Sequence, residues 1–188
     1  MKKIMIALLF GLSSMLMAHP AEDLIRTNAN DVTSILKIEK DPNIAKQKIQ
    51  NQILPYFDFD RMTALAVGKN WRTCTSEQKV ALTNEFKKLL IKTYSSALVK
   101  SKVKSIQVKP TKIESDDIMI VTDVILEDQE PINISYYIHK KEMNNDWKVY
   151  DVIVAGVSLV TNYRSTFSES IKNDGIDGLI KLLKVKNG

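Results

Sequence analysis

The apolar residues of this chain keep two different periods, and the change falls near residue 101. Before it they recur every three or four positions, the repeat of a helix with one buried face. The stretch 76–100 carries Leu82, Phe86, Leu89, Leu90, Tyr94, Ala97 and Leu98 on one stripe. Thr75-Ser76-Glu77-Gln78 opens it as a capping box. Upstream, a looser stripe of Leu24, Ile25, Val32, Ile35 and Leu36 predicts a helix over 21–38. Asp41-Pro42 reads as an N-cap followed by proline at the first helical position, and Pro55 stops that second helix. Asp58 caps a third, short helix carrying Phe59, Met62 and Ala66, and Gly68 ends it.

After residue 101 the period shortens to two. Segments 102–109, 117–126, 131–140 and 147–154 are rich in Val, Ile and Tyr and bounded by turn residues. In the third, Ile132, Ile134, Tyr136 and Ile138 alternate with Asn133, Ser135, Tyr137 and His139, the pattern of a half-buried antiparallel strand. Short connections make a meander the natural pairing. Helical spacing returns after Gly156 with Leu159, Tyr163, Phe167 and Ile171. Asn173-Asp174-Gly175 is a stop, followed by a last amphipathic segment with Leu179, Ile180, Leu182 and Leu183. The expected fold is α+β, a twisted four-stranded antiparallel sheet packed against a helical subdomain. A chain of 188 residues suits one such domain.

The N-terminus reads as an export signal: Lys2 and Lys3, an apolar run over 4–12, and Ala18 before His19-Pro20. The run falls short of the roughly 20 apolar residues that span a bilayer. Residues 1–18 are therefore expected to be a signal peptide and 19–188 the working domain. No cysteine sits beside the cut to suggest a lipid anchor. Cys74 is alone, so no internal disulfide can form, and the core must hold the exported domain together.

Losing Lys2 and Lys3 lowers the formal charge from +5 to +3. That balance suits an anionic lipid surface or an acidic partner better than nucleic acid, which would need a denser basic patch. His139 is the only histidine besides His19, so neither a histidine-based triad nor a metal-ligand spacing stands out. There is no glycine-rich phosphate loop. The acids Asp116, Asp117, Asp123, Glu127 and Asp128 read as a solvated strand edge and turn.

What remains is apolar surplus. Segment 117–126 places Ile118, Ile120, Val124 and Leu126 on one side and Met119, Val121 and Ile125 on the other. Segment 147–154 places Val149 and Ile153 on one side and Tyr150, Val152 and Val154 on the other. A sheet buried on both faces accounts for this, and so does a sheet that lines a cavity.

Specific runs go further. Pro55-Tyr56-Phe57-Asp58-Phe59-Asp60-Arg61-Met62 leads into Ala66-Val67-Gly68-Lys69-Asn70-Trp71. Later, Asp146-Trp147-Lys148-Val149-Tyr150-Asp151-Val152 precedes Ala155-Gly156-Val157-Ser158-Leu159-Val160. Asn162-Tyr163-Arg164-Ser165, Phe167 and Asp174-Gly175-Ile176-Asp177-Gly178-Leu179 follow. In order and spacing the chain resembles the MlaC family, the toluene-tolerance auxiliary component of a lipid ABC transport system. It departs from the family at Ala155, where members often carry an acid.

The resemblance implies a periplasmic, non-enzymatic, NTF2/cystatin-like protein with no cofactor. It implies a diacyl phospholipid as cargo, its tails between sheet and helices and its headgroup outward. The implied partners are an outer-membrane lipoprotein complex and an inner-membrane ABC transporter with an MCE-domain subunit, in a system that maintains outer-membrane lipid asymmetry. A shuttle of this kind is expected to be a monomer. Its tail pocket is expected to draw on Phe57, Met62, Leu65, Val67 and Trp71 from the first helices. Tyr94 and Leu98 would come from the long helix, and Val121, Val124, Tyr136 and Ile138 from the middle strands. Tyr150, Val152, Val154 and Leu179 complete the set. Arg164 and Lys69 are candidates for the headgroup, with a structural pairing of Arg164 to a carboxylate such as Asp151 the stronger reading. Lys87, Lys88, Lys181 and Lys184 are candidates for docking. Two other readings compete. One is an NTF2-like adaptor that binds a protein and no lipid. The other is an NTF2-like enzyme pairing Asp123 or Asp151 with Tyr136 or His139.

Overall fold

The computed structural model describes residues 19–109, 117–141 and 146–188. The expected signal peptide and Asp116 lie outside the described residues. Helix α1 spans Pro20–Ile38, with the His19 ring nitrogen Nδ1 accepting from the Ala21 amide at its start. Its buried residues, Ala21, Ile25, Ala29 and Val32, form one stripe. Helix α2 spans Pro42–Ile53, capped by Asp41, and a 3-10 turn Leu54–Tyr56 follows. Helix α3 spans Phe59–Val67 between the Asp58 cap and Gly68, whose φ of 67° suits a residue without a side chain. After a second 3-10 turn, α4 runs over Ser76–Lys100 behind the Thr75/Gln78 capping box.

The sheet has strands β1 Val103–Val108, β2 Asp117–Leu126, β3 Ile132–Lys140, β4 Trp147–Val154 and β5 Val157–Ser158, in that spatial order and antiparallel throughout. Helix α5, Leu159–Asn187, closes the chain. The α+β class and the meander agree with the expectation; the strand count does not. The fifth strand has two residues, too few for any period to register. It forms because Ala155 and Gly156 both take positive φ, 48° and 85°, and turn the chain back tightly onto β4.

Strand β4 corrects the sequence reading in a second way. Tyr137 faces Asp151 while Ile138 faces Val149, so one extra residue bulges at this point. The bulge shifts the phase of alternation. Val149 and Val152, expected on opposite faces, share the buried face with Ile138 and Tyr136. The stop expected at Asn173-Asp174-Gly175 is a break inside α5: Gly175 alone leaves helical geometry, at φ 70° and ψ −175°.

One face of the sheet carries the core. Ile118, Ile120, Ile138 and Val149 pack with Met62, Phe86, Phe167 and Leu179 from α3, α4 and α5. A smaller cluster of Val103, Val124 and Leu126 gathers Leu36 of α1 and Leu98 of α4. Helix α1 packs chiefly on β1 and α2.

Candidate functional site: a cavity between α1 and the sheet

The two clusters do not fill the space between them. A cavity of about 120 Å³ lies under α1. Its roof is Leu24, Ile25, Asn28, Ala29 and Val32 of α1. Its floor is Ile106, Val124, Ile134, Tyr136 and Val149, one from each of β1, β2 and β4 and two from β3. Ile53, Tyr56, Phe57 and Leu98 close the sides.

The chain fixes these walls locally. Phe57 forms a parallel bridge to Val149, and the Asp58 amide donates to the Val149 carbonyl at 2.8 Å, so the segment before α3 is pinned to β4. Asp58 also caps α3 through Oδ1 and places Oδ2 3.0 Å from His139 Nε2. On the floor, burial pushes the Tyr136 hydroxyl pKa up, with a hydrogen bond to Thr122 opposing the shift. Among the lining residues, only Asn28 and the two tyrosines carry polar side-chain groups.

An apolar space of this kind leaves its lining short of packing partners. It also offers water almost no hydrogen-bonding partners, so it should stay dry. Its chemistry is that of an oil-lined slot.

The slot has a wetter neighbour. A wider, more open recess of about 420 Å³ is lined by Pro20, Asp23, Thr27, Asp146, Trp147 and Lys148. Leu24, Asn28 and Tyr56 line both spaces, which therefore lie side by side. An apolar chamber that meets a polar vestibule matches the two ends of an amphiphile.

Residues 26–185 match the family model described as MlaC protein. The chain belongs to the MlaC family. Over 147 residues it is 27% identical to the intermembrane phospholipid transport system binding protein MlaC of Haemophilus influenzae, covering 77% of this chain and 69% of that protein. Over 166 residues it is 24% identical to the toluene tolerance protein ttg2D of Pseudomonas putida, covering 85% of this chain and 77% of that one. A phospholipid-binding protein of Ralstonia solanacearum, solved in complex with a phospholipid, superposes with a TM-score of 0.79 at 30% identity. That match covers 89% of this chain and 96% of the other.

In this MlaC-family chain, four residues expected at the pocket line the cavity: Phe57, Leu98, Val124 and Tyr136. Met62, Val67, Ile138, Val152 and Leu179 are buried in the adjoining core. Leu65, Trp71, Tyr94, Tyr150 and Val154 pack half-buried against that core. Burial pushes the Tyr94 hydroxyl pKa up to about 12, with Tyr163 beside it adding to the shift. Val121 lies between the buried Ile120 and Thr122, so strand alternation turns it to the opposite face. The roof on α1 was missed. Ala29 and Asn28 stand between Ile25 and Val32, and in sequence a small residue and an amide do not announce a cavity.

Other candidates fall away from the cavity lining. The Arg164 guanidinium packs against Gly68, with Nε 3.1 Å from where a Cβ would stand. Asp151 accepts instead from the Val160 and Val152 amides and the Ser158 hydroxyl, fixing the start of α5. Lys88 pairs with Glu85 at 2.8 Å, and Lys87 lies over the Phe59 ring. Cys74 is buried, and burial raises its thiol pKa, which disfavours the reactive thiolate. No described helix is long and apolar enough to cross a membrane.

Proposed function

We propose that this chain is a periplasmic phospholipid carrier. After loss of residues 1–18 it takes a diacyl phospholipid by its tails into the cavity under α1. It then exchanges that lipid with an outer-membrane lipoprotein complex and an inner-membrane ABC transporter with an MCE-domain subunit. The observation that carries the reading is an apolar chamber lying beside a polar recess, with Leu24, Asn28 and Tyr56 lining both. The lipid-bound Ralstonia relative supports it.

Each methylene kept from water is worth about 0.8 kcal/mol, so two long chains bared to water cost on the order of 20 kcal/mol. A chamber about as apolar as a bilayer makes the exchange nearly balanced, and the carrier then needs no energy source of its own. At about 120 Å³ the chamber is smaller than the usual 300–1,000 Å³ of ligand pockets, so loading must lift α1 from the sheet. An adaptor that bound only protein would have no use for this apolar space.

Native mass spectrometry of protein purified from the periplasm, with lipid extraction from the same sample, tests the proposal. A stoichiometric adduct that extracts as diacyl phospholipid is expected. A bare mass, with no lipid in the extract and none taken up from liposomes, would overturn it.

A further inference from the structure

Helix α1 ends on an isoleucine that faces water. Ile38, its last residue, is 78% exposed, and Ile44, in the first turn of α2, is 44% exposed. The other large apolar side chains exposed among the described residues are Val80, Met119, Val157 and Val185, scattered singly over α4, β2, β5 and α5. An isolated exposed apolar residue needs no explanation. Two at one tight connection do, since polar residues would serve the turn equally well.

Other elements end at the same corner. Lys46 Nζ lies 3.5 Å from Ser96 Oγ, and Gln50 donates to Ser95 Oγ at 3.1 Å, so the start of α2 lies beside the last turns of α4. Leu36 packs on the cluster of Val103, Val124 and Leu126, where β1 begins and β2 ends. The corner therefore gathers Lys37, Lys40, Lys46, Lys48 and Lys100 with the two isoleucines. Its two acids are already engaged. Glu39 accepts from Lys48 at 2.8 Å, and Asp41 caps α2 through the Asn43 and Ile44 amides. On the sheet side, Glu127 and Asp128 of the β2–β3 turn pair with Lys102, and Glu130 is exposed beyond them. Lys37, Lys40 and Lys100 are exposed and form no ion pair with a described residue. Lys37 and Lys100 stand in the last turns of α1 and α4, where a cation offsets the helix dipole. Lys40 lies between helices, and neither a dipole nor a pair accounts for it.

The chemistry of the corner selects its occupant. Protein interfaces favour aromatic residues and arginine and are poor in lysine. Residues 34–52 and 95–102 hold no aromatic residue and no arginine. Exposed isoleucines among unpaired lysines match a bilayer that carries anionic lipid. Apolar side chains enter the boundary between headgroups and tails, and lysine stems lie along it with their ammonium groups at the phosphates. We propose that this corner, the α1–α2 connection with the end of α4, is a docking surface for an anionic phospholipid bilayer. The surface does not depend on the carrier reading, although it lies on the helix that roofs the chamber.

Vesicle flotation of protein purified from the periplasm tests this. Vesicles of phosphatidylglycerol and phosphatidylcholine in equal parts are compared with vesicles of phosphatidylcholine alone. The readout is the protein that travels with the vesicles, not the lipid it holds. The protein should float with the anionic vesicles at low salt, and far less with the neutral ones or at high salt. Lys37→Gln with Lys40→Gln should weaken that binding about twentyfold, the scale set by two lysines at an anionic surface. Ile38→Ser should weaken it about tenfold, and the fold should tolerate the change at so exposed a position. Lys172→Gln with Lys181→Gln removes the same charge from α5 on either side of Asp177, which Gln78 holds at the start of α4. That pair should leave binding largely unchanged. Equal binding to both vesicle types, no binding to either, or a loss in the α5 pair as large as in the Lys37 and Lys40 pair would overturn the docking surface. So would a dimer in sedimentation velocity that Ile38→Ser turns into a monomer, which would assign the corner to a second copy of the chain. None of these results touches the carrier reading, which stands or falls on the lipid extracted from the protein.

Discussion

The side-chain amide of Asn28 donates to the Leu24 carbonyl, 2.8 Å away and one helical turn back, which leaves its Oδ1 buried and unpartnered. An unmet buried acceptor costs about 1–3 kcal/mol. Asn28→Leu should therefore stabilise the delipidated protein by about 1 kcal/mol in urea unfolding, since the Leu24 carbonyl still has its helical backbone donor. A variant less stable than the parent would mean that Oδ1 is satisfied in solution.

Ala29 sits in the roof directly over the sheet and is 8% exposed. Replacing it by Phe inserts a ring of a size comparable with the void. Ala29→Phe should keep the fold, with a melting temperature close to the parent's, because the ring enters open apolar space and not packed core. Bound lipid in periplasmic preparations should fall at least tenfold. Full lipid content in the folded variant would place the tails elsewhere.

Much of the fold was legible, because its signals are local. Asp41-Pro42, Thr75 to Gln78 and Gly68 each mark a helix end by chemistry that acts within four residues. The edges of β2 and β4 matched to the residue, since turn formers flank them. The bulge at Tyr150-Asp151 was not legible. It depends on how β4 registers against β3, and a period-two reading of β4 alone put Val149 and Val152 on opposite faces. The site was legible only in part for the same reason. Val124 and Tyr136 stand out as apolar strand residues, but whether α1 or α4 lies over each one is decided by packing across a hundred residues of chain.

The turn that makes β5 stores strain. Ala155 takes φ 48°, a conformation in which a side chain costs about 1–2 kcal/mol, and Asn tolerates it better. Ala155→Asn should raise stability by about 1 kcal/mol, or roughly 2–4 °C in melting temperature for a domain of this size. The backbone amide of residue 155 donates to the Asn133 carbonyl at 3.0 Å and is unaffected by the exchange. An unchanged or lower melting temperature would show that the turn relaxes in solution.

The C-terminal end of α5 is fastened to α4 by the Glu85 carboxylate and by Lys92, whose Nζ donates to the Lys186 and Asn187 carbonyls at 3.1 and 3.4 Å. Glu85 is buried, accepts from Lys88 at 2.8 Å and from Asn187 Nδ2 at 2.7 Å, and its backbone carbonyl takes a second bond from Asn187. The bond from Lys88, then that from Asn187, holds the Glu85 pKa below its ordinary value. A carboxylate whose folded pKa is depressed stabilises the fold fully above its unfolded pKa, about 4.3, and loses that contribution as pH falls through the lowered value. Hydrogen exchange in the last turns of α5 should therefore accelerate as pH drops from 5 toward 3, after correction for intrinsic rates. Glu85→Gln should unfasten the helix end at neutral pH, cost about 1–2 kcal/mol, and remove this part of the acid dependence. Equal protection of the α5 end in parent and variant across that range would mean that the helix is held by the Lys92 bonds and the packing of Leu179 and Leu183 without help from Glu85.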